Sequence, residues 1–325
     1  MKAHFPQVTV VAPARLHMGF IDLSGALGRH FGSIGLALNE ISTRLTMTEA
    51  DSLQVCGPSA ERAERYTRQF CRLLGVPDHL RVTVISAIGE HIGLGSGTQM
   101  ALAVGAALNA FYRLGLSARD IARLSERGAR SGIGIGIFEQ GGLVVDGGRG
   151  PATKTPPLVV RMPVPEQWRF ILVFDERGQG LHGQQEISAF QQLPAFPQAA
   201  AEHLCYLLLM QGLPALAEHN LEEFGDVITR LQQAVGDHFA PVQGGVFTSP
   251  EVGSAMAYLA ERGAVAIGQT SWGPTGFCAV ASPQRAAQLI AELETRCAGL
   301  PLSFLVASAR NQAAEVSIDT MFQAV

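Results

Sequence analysis

The chain has 325 residues, of which 47% are hydrophobic and 16% charged, so it suits two domains of ordinary size and can bury a substantial core. Long disordered stretches are excluded by this composition. The formal net charge is −4, from 28 acidic and 24 basic residues, and it gives no sign of a nucleic-acid partner. Lys2 and Lys154 are the only lysines, which favours arginine as the residue that binds anions.

The cysteines and the hydropathy pattern favour a cytoplasmic protein. None of the five cysteines forms a CxxC pair or another metal-ligand spacing, which is typical of free thiols in a reducing compartment. The N-terminus lacks a basic region followed by an apolar run, and no apolar stretch reaches the roughly 18 residues of a membrane span. We therefore predict no signal peptide, no membrane association and a cytoplasmic location.

The first half predicts a mixture of strands and helices. A β-branched run from residue 8 predicts a strand that gives way to a loop at Pro13. A further helix is expected from the cap residue Ser117 to about Arg130. The remaining predicted elements are strands at 44–50 and 80–89, an amphipathic helix at 59–74, and a small-residue, buried helix at 97–114.

A linker-like composition, "PATKTPPLVVRMPVP", follows the glycine-rich run 131–150 and predicts a domain boundary near residue 155, which divides the chain into 1–155 and 156–325. Because strands and helices mix without strict alternation, the fold class is predicted to be α+β. The predicted elements of the second half are strands at 169–176, 264–269, 276–281 and 302–309, and helices at 198–211, 214–236, 250–262 and 283–298.

The stretch "HIGLGSGTQ" places a glycine-rich turn directly before the buried helix. Such a turn presents unpaired N–H groups and the positive end of the helix dipole, which suits a phosphate. The spacing is neither GxGxxG nor a Walker A loop. The alternative is a tight turn that only packs the helix, but three polar side chains in this turn favour a ligand. The candidate binding residues are Gly93, Gly95, Ser96, Gly97, Thr98 and Gln99.

The stretch "ARLHMGFIDL" places Arg15, His17 and Asp22 within eight residues, around the turn expected after the first strand. Arg15 can clamp a phosphate or carboxylate through two parallel hydrogen bonds. Asp22 can hold Mg²⁺ or a ribose hydroxyl. The alternative is a surface arginine, a half-buried histidine and a turn aspartate.

Four further positions are candidates in the first half. His91 precedes the glycine-rich turn and can donate to a phosphate, although a structural role is equally open. Arg130 and Ser131 are expected at the C-terminal end of a helix, where an arginine either complements the helix dipole or binds an anion. Glu139, like Asp146 nearby, is either a magnesium ligand or a solvated loop acid.

In the second half the turn "TSWGPT" contains Ser271, Trp272 and Thr275, and its tryptophan can stack on an aromatic substrate or fill the core. We expect this turn and the 93–99 loop to line one cleft between the two halves. His182 and Glu186 stand four residues apart, but one histidine and one glutamate next to a glycine make a weak metal motif.

Two of these segments resemble motifs of a known family. "IGEHIGLGSGTQ" resembles the second motif of the GHMP kinases, PxxxGLxSSA, with Gly89 in the place of the proline. "GQTSWGPTGFCAV" matches their third motif in position but not in letters. In the kinases a Ser-Gly-x-Asp segment supplies the catalytic base, whereas the segment here is Ser131-Gly132-Ile133-Gly134. A kinase without its base would lose about 10²–10⁴-fold in rate.

The whole chain resembles a non-kinase branch of that superfamily, the beta-ribofuranosylaminobenzene 5'-phosphate synthase family. The matching segments are "ARLHMGFIDLSGALGRHFGSIGLAL", "HIGLGSGTQMALAVG", "RSGIGIGIFEQGGLVVDGG", "GLHGQQEISAF" and "GQTSWGPTGF". The resemblance implies a ribosomal-protein-S5-like N-terminal domain and a ferredoxin-like C-terminal domain. It also implies joining of phosphoribosyl pyrophosphate to a para-substituted benzoate, usually 4-aminobenzoate, with release of CO₂ and pyrophosphate, in methanopterin biosynthesis.

With that chemistry, Arg15, His17 and Asp22 are expected to act in catalysis, and Asp22 and Glu139 to hold Mg²⁺. We also expect a homodimer. Two alternatives stay open: an ATP-dependent GHMP kinase with an unusual base, and an inactive GHMP-fold protein that binds ligands.

Overall fold

The computed structural model describes residues 4–178, 193–271 and 273–322. Two sheets, in which most strand pairs are antiparallel, form the framework of the fold. In the seven-stranded sheet the strands follow the order β11-β1-β2-β4-β3, with β5 paired to β2 and β6 to β5, and the four-stranded sheet has the order β10-β7-β9-β8. The strands are β1 His4–Asp22, β2 Phe31–Glu49, β3 Gln54–Cys56, β4 Leu80–Ser86, β5 Leu143–Asp146, β6 Leu158–Met162, β7 Arg169–Asp175, β8 Val265–Gln269, β9 Gly276–Val280, β10 Leu302–Ala307 and β11 Glu315–Phe322.

Nine α-helices of the described residues pack against these sheets. They are α1 Ala60–Leu74, α2 Ser96–Tyr112, α3 Ala118–Leu124, α4 Ile133–Gln140, α5 Gln198–Leu207, α6 Leu213–Ala217, α7 Leu221–Gln243, α8 Pro250–Glu261 and α9 Pro283–Arg296. A single π-helical turn, Leu208–Gly212, joins α5 to α6. In the part of the chain that the structure describes, no helix is both long and apolar enough to span a membrane.

The first strand does not end at Pro13, so the predicted loop there is wrong. β1 continues to Asp22 and stays paired with β2, with irregularities in register between Pro13 and Arg15 and between His17 and Gly19. A proline cannot donate to a sheet ladder, and a register irregularity is one of the places where a strand tolerates it. Residues 14–22 are therefore held in a sheet rather than in a loop.

The buried small-residue helix is confirmed as α2, whose residues from Gln99 to Leu108 are all buried. The predicted cap Ser117 is also confirmed, but α3 ends at Leu124 instead of about Arg130. Positive φ angles of 56° at Glu126 and 76° at Gly128 break the helix there.

The glycine-rich run 131–150 contains the helix α4, which was not predicted. Its glycines serve packing: a Cβ at Gly134 would lie 3.0 Å from Thr98 Cγ2, and one at Gly136 would lie 2.6 Å from Leu158 Cδ2. Glycine lowers helix propensity by about 1 kcal/mol, and the close packing of α4 against α2 and β6 outweighs that penalty.

The second sheet has the 4-1-3-2 strand order of a ferredoxin-like unit when its four strands are counted along the chain. The predicted α+β class is confirmed. Strands from both sides of residue 155 build the first sheet, because β6 pairs with β5 and β11 pairs with β1. The division into 1–155 and 156–325 stays a prediction, and the return of β11 ties the two halves together.

Candidate functional site

The glycine-rich loop before α2 is shaped by the protein's own backbone and side chains. Gly93 and Gly95 both have φ of +82°, a left-handed conformation that favours glycine. A Cβ at Gly93 would lie 2.3 Å from the carbonyl oxygen of Thr270, and one at Gly95 would lie 2.6 Å from Cγ of Arg15. The close approach expected of a ligand at these two glycines is therefore made by the neighbouring turn and by an arginine.

Two buried threonines join this loop to the turn that connects β8 and β9. Thr270 Oγ1 donates to the carbonyl of Gly93 at 2.9 Å and accepts from the backbone N–H of His17 at 3.0 Å. Thr275 Oγ1 donates to the carbonyl of Ile92 at 2.8 Å. The 93–99 loop and the 270–275 turn are therefore in contact, as their predicted common position requires, whereas the ligand cleft between them stays a prediction. Thr275 is fully buried, so its hydroxyl holds the loops together.

Arginines from two distant segments reach the start of α2. Arg15 Nη1 donates to the carbonyl of Gly93 at 3.0 Å, which fixes the guanidinium beside the loop. Arg62 Nη1 donates to Ser96 Oγ at 3.2 Å, and its Nη2 pairs with Glu90 at 2.7 Å. Arg62 was not predicted, because it lies 34 residues before Ser96 and only the fold brings the two together.

A third arginine, Arg127, lies beside the first turn of α2. The guanidinium carbon of Arg127 would be 3.5 Å from a Cβ at Gly97. It is positioned by a hydrogen bond of 2.9 Å from its Nε to the Tyr66 hydroxyl and lies 5.8 Å from the centre of that ring. Three guanidinium groups thus surround the first turn of a 17-residue helix.

The N-terminus of α2 is suited to an anion. Gly95, the N-cap, provides no side-chain hydrogen bond to the first turn. The N–H groups of residues 96–98 begin the helix, where N–H groups have no intrahelical acceptor and the dipole is positive. Together with the arginines, this is the arrangement of donors and charge that a phosphate or pyrophosphate needs.

Gln99 was predicted to bind the anion, but its side chain does not face this site. Its side chain is fully buried, and its Nε2 donates to the carbonyl of Gly134 at 2.8 Å. The Gln99 side chain therefore ties α2 to α4 inside the protein.

Ser131 belongs to a buried network centred on Asp146. Asp146 Oδ2 accepts from Ser33 Oγ at 2.5 Å and from Gly132 N at 2.8 Å, and Oδ1 accepts from Gly148 N at 2.8 Å. Ser131 Oγ lies 2.7 Å from Ser33 Oγ. Burial raises the pKa of Asp146, and these hydrogen bonds partly offset that effect. The carboxylate holds the start of α4 in place and is not a solvated loop acid.

His17 is buried and neutral. Its Nδ1 accepts from the backbone N–H of Gly19 at 3.2 Å, which assigns the proton to Nε2, and Nε2 has no partner among the described residues. Burial, followed by the charge of Arg15, places the pKa of His17 well below its ordinary value. The ring lines a cavity of about 20 Å³ with Gln232 and Ser271, room for about one water molecule.

Asp22 lies far from Arg15, so the predicted cluster of Arg15, His17 and Asp22 around one turn is wrong. The eight residues from Arg15 to Asp22 are extended in β1, and their seven steps of roughly 3.3 Å span about 23 Å. Asp22 Oδ1 accepts hydrogen bonds from the N–H and the hydroxyl of Ser24 at 2.8 and 2.6 Å. The carboxylate thus stabilises the turn that follows β1.

Among the residues that the structure describes, the side chains do not assemble a magnesium site. Glu139 lies in the last turn of α4, about 9 Å along the helix axis from Ile133 at 1.5 Å per residue, and it pairs with Arg119 at 3.7 Å. Burial raises the pKa of Glu139, and Arg119 opposes that shift. No group of three or more His, Cys, Asp or Glu residues within the described ranges is placed to hold a metal. The magnesium roles of Asp22 and Glu139 stay predictions.

Two further candidates, His91 and Arg130, have positions but no assigned role. His91 begins the loop with φ of 61°, and Arg130 is half-buried just before Ser131. Trp272, His182 and Glu186 lie outside the described residues.

Two known protein domains and several individual proteins match this chain. Residues 61–142 match the GHMP kinases N terminal domain, and residues 213–299 match the GHMP kinases C terminal domain. The beta-ribofuranosylphenol 5'-phosphate synthase of Archaeoglobus fulgidus is 36% identical over 235 residues, 68% of this chain and 74% of the relative. The protein of the same name from Methanocaldococcus jannaschii is 34% identical over 255 residues, 69% of this chain and 76% of that relative. The chain belongs to the beta-ribofuranosylphenol 5'-phosphate synthase family.

Among solved structures, homoserine kinase from Cytophaga hutchinsonii is similar in fold, with a TM-score of 0.67 at 14% identity over 96% of this chain and 97% of the kinase. The predicted family and the GHMP-like fold are thus confirmed.

Within this family fold, Gly134 stands where the motif comparison places the catalytic aspartate of the kinases. The space around it is filled: a Cβ at Gly134 would lie 3.0 Å from Thr98 Cγ2 and 3.6 Å from Gln99 Nε2. The chain therefore lacks a carboxylate at this position, and a larger side chain there would have to displace Thr98.

Proposed function

We propose that this protein transfers the phosphoribosyl group of phosphoribosyl pyrophosphate to a para-substituted benzoate and releases CO₂ and pyrophosphate. The observation that carries the proposal is the anion site at the start of α2, combined with membership of the synthase family. Arg15, Arg62 and Arg127 supply charge, and the N–H groups of 96–98 supply donors, for the pyrophosphate.

The chemistry needs stabilisation of a leaving group more than it needs a base. The ring carbon that bears the carboxylate donates a pair of π electrons to the anomeric carbon and forms a C–C bond. The pair of the anomeric C–O bond departs with pyrophosphate. The bond to the carboxylate then breaks, its electron pair returns to the ring, and CO₂ leaves. No hydroxyl is deprotonated, which accounts for a glycine at 134.

The arginines and amides act on the charge that develops on the departing pyrophosphate. Donors that are already in position often contribute more to catalysis than any other effect, and losing one costs about 10²–10³-fold in rate. Arg15 suits this role because its bond to the carbonyl of Gly93 fixes it before substrate arrives. The backbone N–H of His17 positions β1 against Thr270, and the catalytic role predicted for its buried imidazole stays a prediction.

Magnesium is proposed only as the counter-ion that the pyrophosphate carries. Mg²⁺ bound to phosphates often uses one or two protein carboxylates and several waters. Glu139 pairs with Arg119, and Asp22 lies along β1 away from Arg15, so the described residues do not fit a dedicated site at the α2 terminus. We assign no step of the reaction to the metal.

The acceptor follows from the para substituent, which makes the ring carbon electron-rich. The relatives are named for a phenol, which favours 4-hydroxybenzoate, and 4-aminobenzoate is the second acceptor that the chemistry allows. We further propose a cytoplasmic homodimer that acts in tetrahydromethanopterin biosynthesis.

The test is release of labelled CO₂. Purified protein is incubated with phosphoribosyl pyrophosphate, Mg²⁺ and carboxyl-labelled 4-hydroxybenzoate or 4-aminobenzoate, and trapped CO₂ and pyrophosphate are measured. We expect both products in equal amounts, and a loss of up to about 10²–10³-fold in the Arg15→Ala variant. ATP-dependent phosphorylation of an alcohol without CO₂ release would instead support the kinase alternative, and neither activity would support the ligand-binding alternative.

A further inference from the structure

An apolar cavity of about 300 Å³ lies at the end of the first sheet, away from the loop at the start of α2. The end of β1, the start of β2, the end of β5, the first half of β6 and the π-helical turn contribute to it. Ligand pockets in proteins typically measure about 300–1,000 Å³, so this cavity suits a small ligand.

The walls of the cavity are mostly hydrocarbon. Ile21, Val145 and Leu208 are buried in the core and line one side, and Phe31 presents a half-buried aromatic ring. Leu209, which is 64% exposed, lies at the open side. Such walls favour the flat face of an aromatic ring over a sugar or a phosphate.

One cation lines this cavity at a fixed position. Arg29 donates from Nε to the carbonyl of Gly147 and from Nη2 to the carbonyl of Gly148, both at 2.8 Å. These two bonds use two of the five N–H donors of its guanidinium. A guanidinium held in this way is suited to a planar carboxylate.

Short contacts connect the cavity to the anion site at α2. Asp146 lines the cavity, and its carboxylate accepts from the N–H of Gly132 at 2.8 Å. Two residues further on, Gly134 packs against Thr98 in the first turn of α2. The start of α4 therefore contacts residues of both sites, at Gly132 and at Gly134, two residues apart along the chain.

We propose that this cavity binds the aromatic ring of the benzoate acceptor, with the carboxylate held by Arg29. The inference rests on the proposed function and names the site of its second substrate. A carboxylate at Arg29 leaves the attached ring carbon at the mouth of the cavity, because the ring extends into the apolar interior. That carbon is the one that must meet the anomeric carbon of phosphoribosyl pyrophosphate.

Two neighbouring exposed residues give a matched test. Leu209 lines the cavity and Met210 does not, yet they are 64% and 61% exposed on the same turn. We expect Leu209→Trp to raise KM for 4-hydroxybenzoate at least tenfold with KM for phosphoribosyl pyrophosphate unchanged, and Met210→Trp to match the wild type. If both variants show the wild-type KM, the cavity is not the acceptor site, although CO₂ release by the wild type would still support the proposed function.

Calorimetry with 4-hydroxybenzoate decides the question even if no turnover is found. We expect wild type and Met210→Trp to bind and Leu209→Trp to lose at least tenfold in affinity. We also expect Arg29→Gln to weaken binding of 4-hydroxybenzoate but not of neutral 4-hydroxybenzamide. Equal binding by both tryptophan variants, with a changed oligomeric state in both on sedimentation, would show instead that this face is a contact between copies and would overturn the proposal.

Discussion

Gly95 and Gly97 are two residues apart at the start of α2, but adding a methyl group should lower the stability of the protein at Gly95 and raise it at Gly97. At Gly95, φ is +82° and a Cβ would lie 2.6 Å from Cγ of Arg15. A Cβ in the left-handed region costs roughly 1–2 kcal/mol, and the Arg15 side chain must move away. At Gly97 the nearest atom would be 3.5 Å away, in the Arg127 guanidinium, which is an ordinary contact.

We therefore expect Gly95→Ala to lower the free energy of unfolding by about 1–2 kcal/mol and to reduce kcat by up to about 10²-fold, because Arg15 loses its fixed position. Gly97→Ala should instead raise stability by about 0.5–1 kcal/mol, since alanine is the better helix former. Urea denaturation and the CO₂-release assay measure both effects. Equal stability and equal kcat in the two variants would refute the assigned roles of the left-handed turn and of Arg15.

Three further outcomes are expected. Thr270→Val should cost about 1–3 kcal/mol in urea denaturation, because it removes the acceptor of the buried His17 backbone N–H and one of the two donors to the Gly93 carbonyl, whereas Thr270→Ser should retain most of the stability; equal losses would contradict the hydroxyl's role. The folded state resists protonation of His17, so wild-type stability should fall as pH drops below the unfolded pKa of about 6.5, by at most about 1.4 kcal/mol per unit. His17→Asn should flatten that slope between pH 7 and 5, and an unchanged slope would assign it to another group. Gly134→Asp should not produce ATP-dependent phosphorylation, because Thr98 occupies the space beside it; ADP release coupled to an alcohol acceptor would prove this wrong.

The sequence patterns predicted those helices whose formation depends on residues close together in the chain. The buried helix α2 was recognised by its run of small apolar residues, and α3 by the cap Ser117, whose hydroxyl accepts from the N–H of Asp120. The helix α4 was missed because the two glycines Gly134 and Gly136 lower helix propensity, and what permits the helix is tight packing against segments distant in sequence.

In the candidate site, too, features formed by neighbouring residues were predicted, and features that depend on the fold were not. The anion loop was predicted from its glycines, but Arg62 and Arg127 reach it only through the fold, and no spacing in the sequence reveals them. The opposite error occurred at Asp22, where closeness in sequence to Arg15 suggested closeness in space. A continuous strand places Asp22, seven residues after Arg15, about 23 Å away from it.

The pairing of β11 with β1 has a consequence for synthesis of the protein on the ribosome. Residues from His4 to Val11 emerge early, yet their partners on one edge, from Glu315 to Phe322, are made about 300 residues later. At roughly 5–20 residues per second, that edge stays without its native partner for about 15–60 seconds. An unpaired edge is a template for wrong association. The nascent chain therefore needs protection of β1 during this interval, and a fragment that stops before β11 should aggregate even though it contains the whole anion loop.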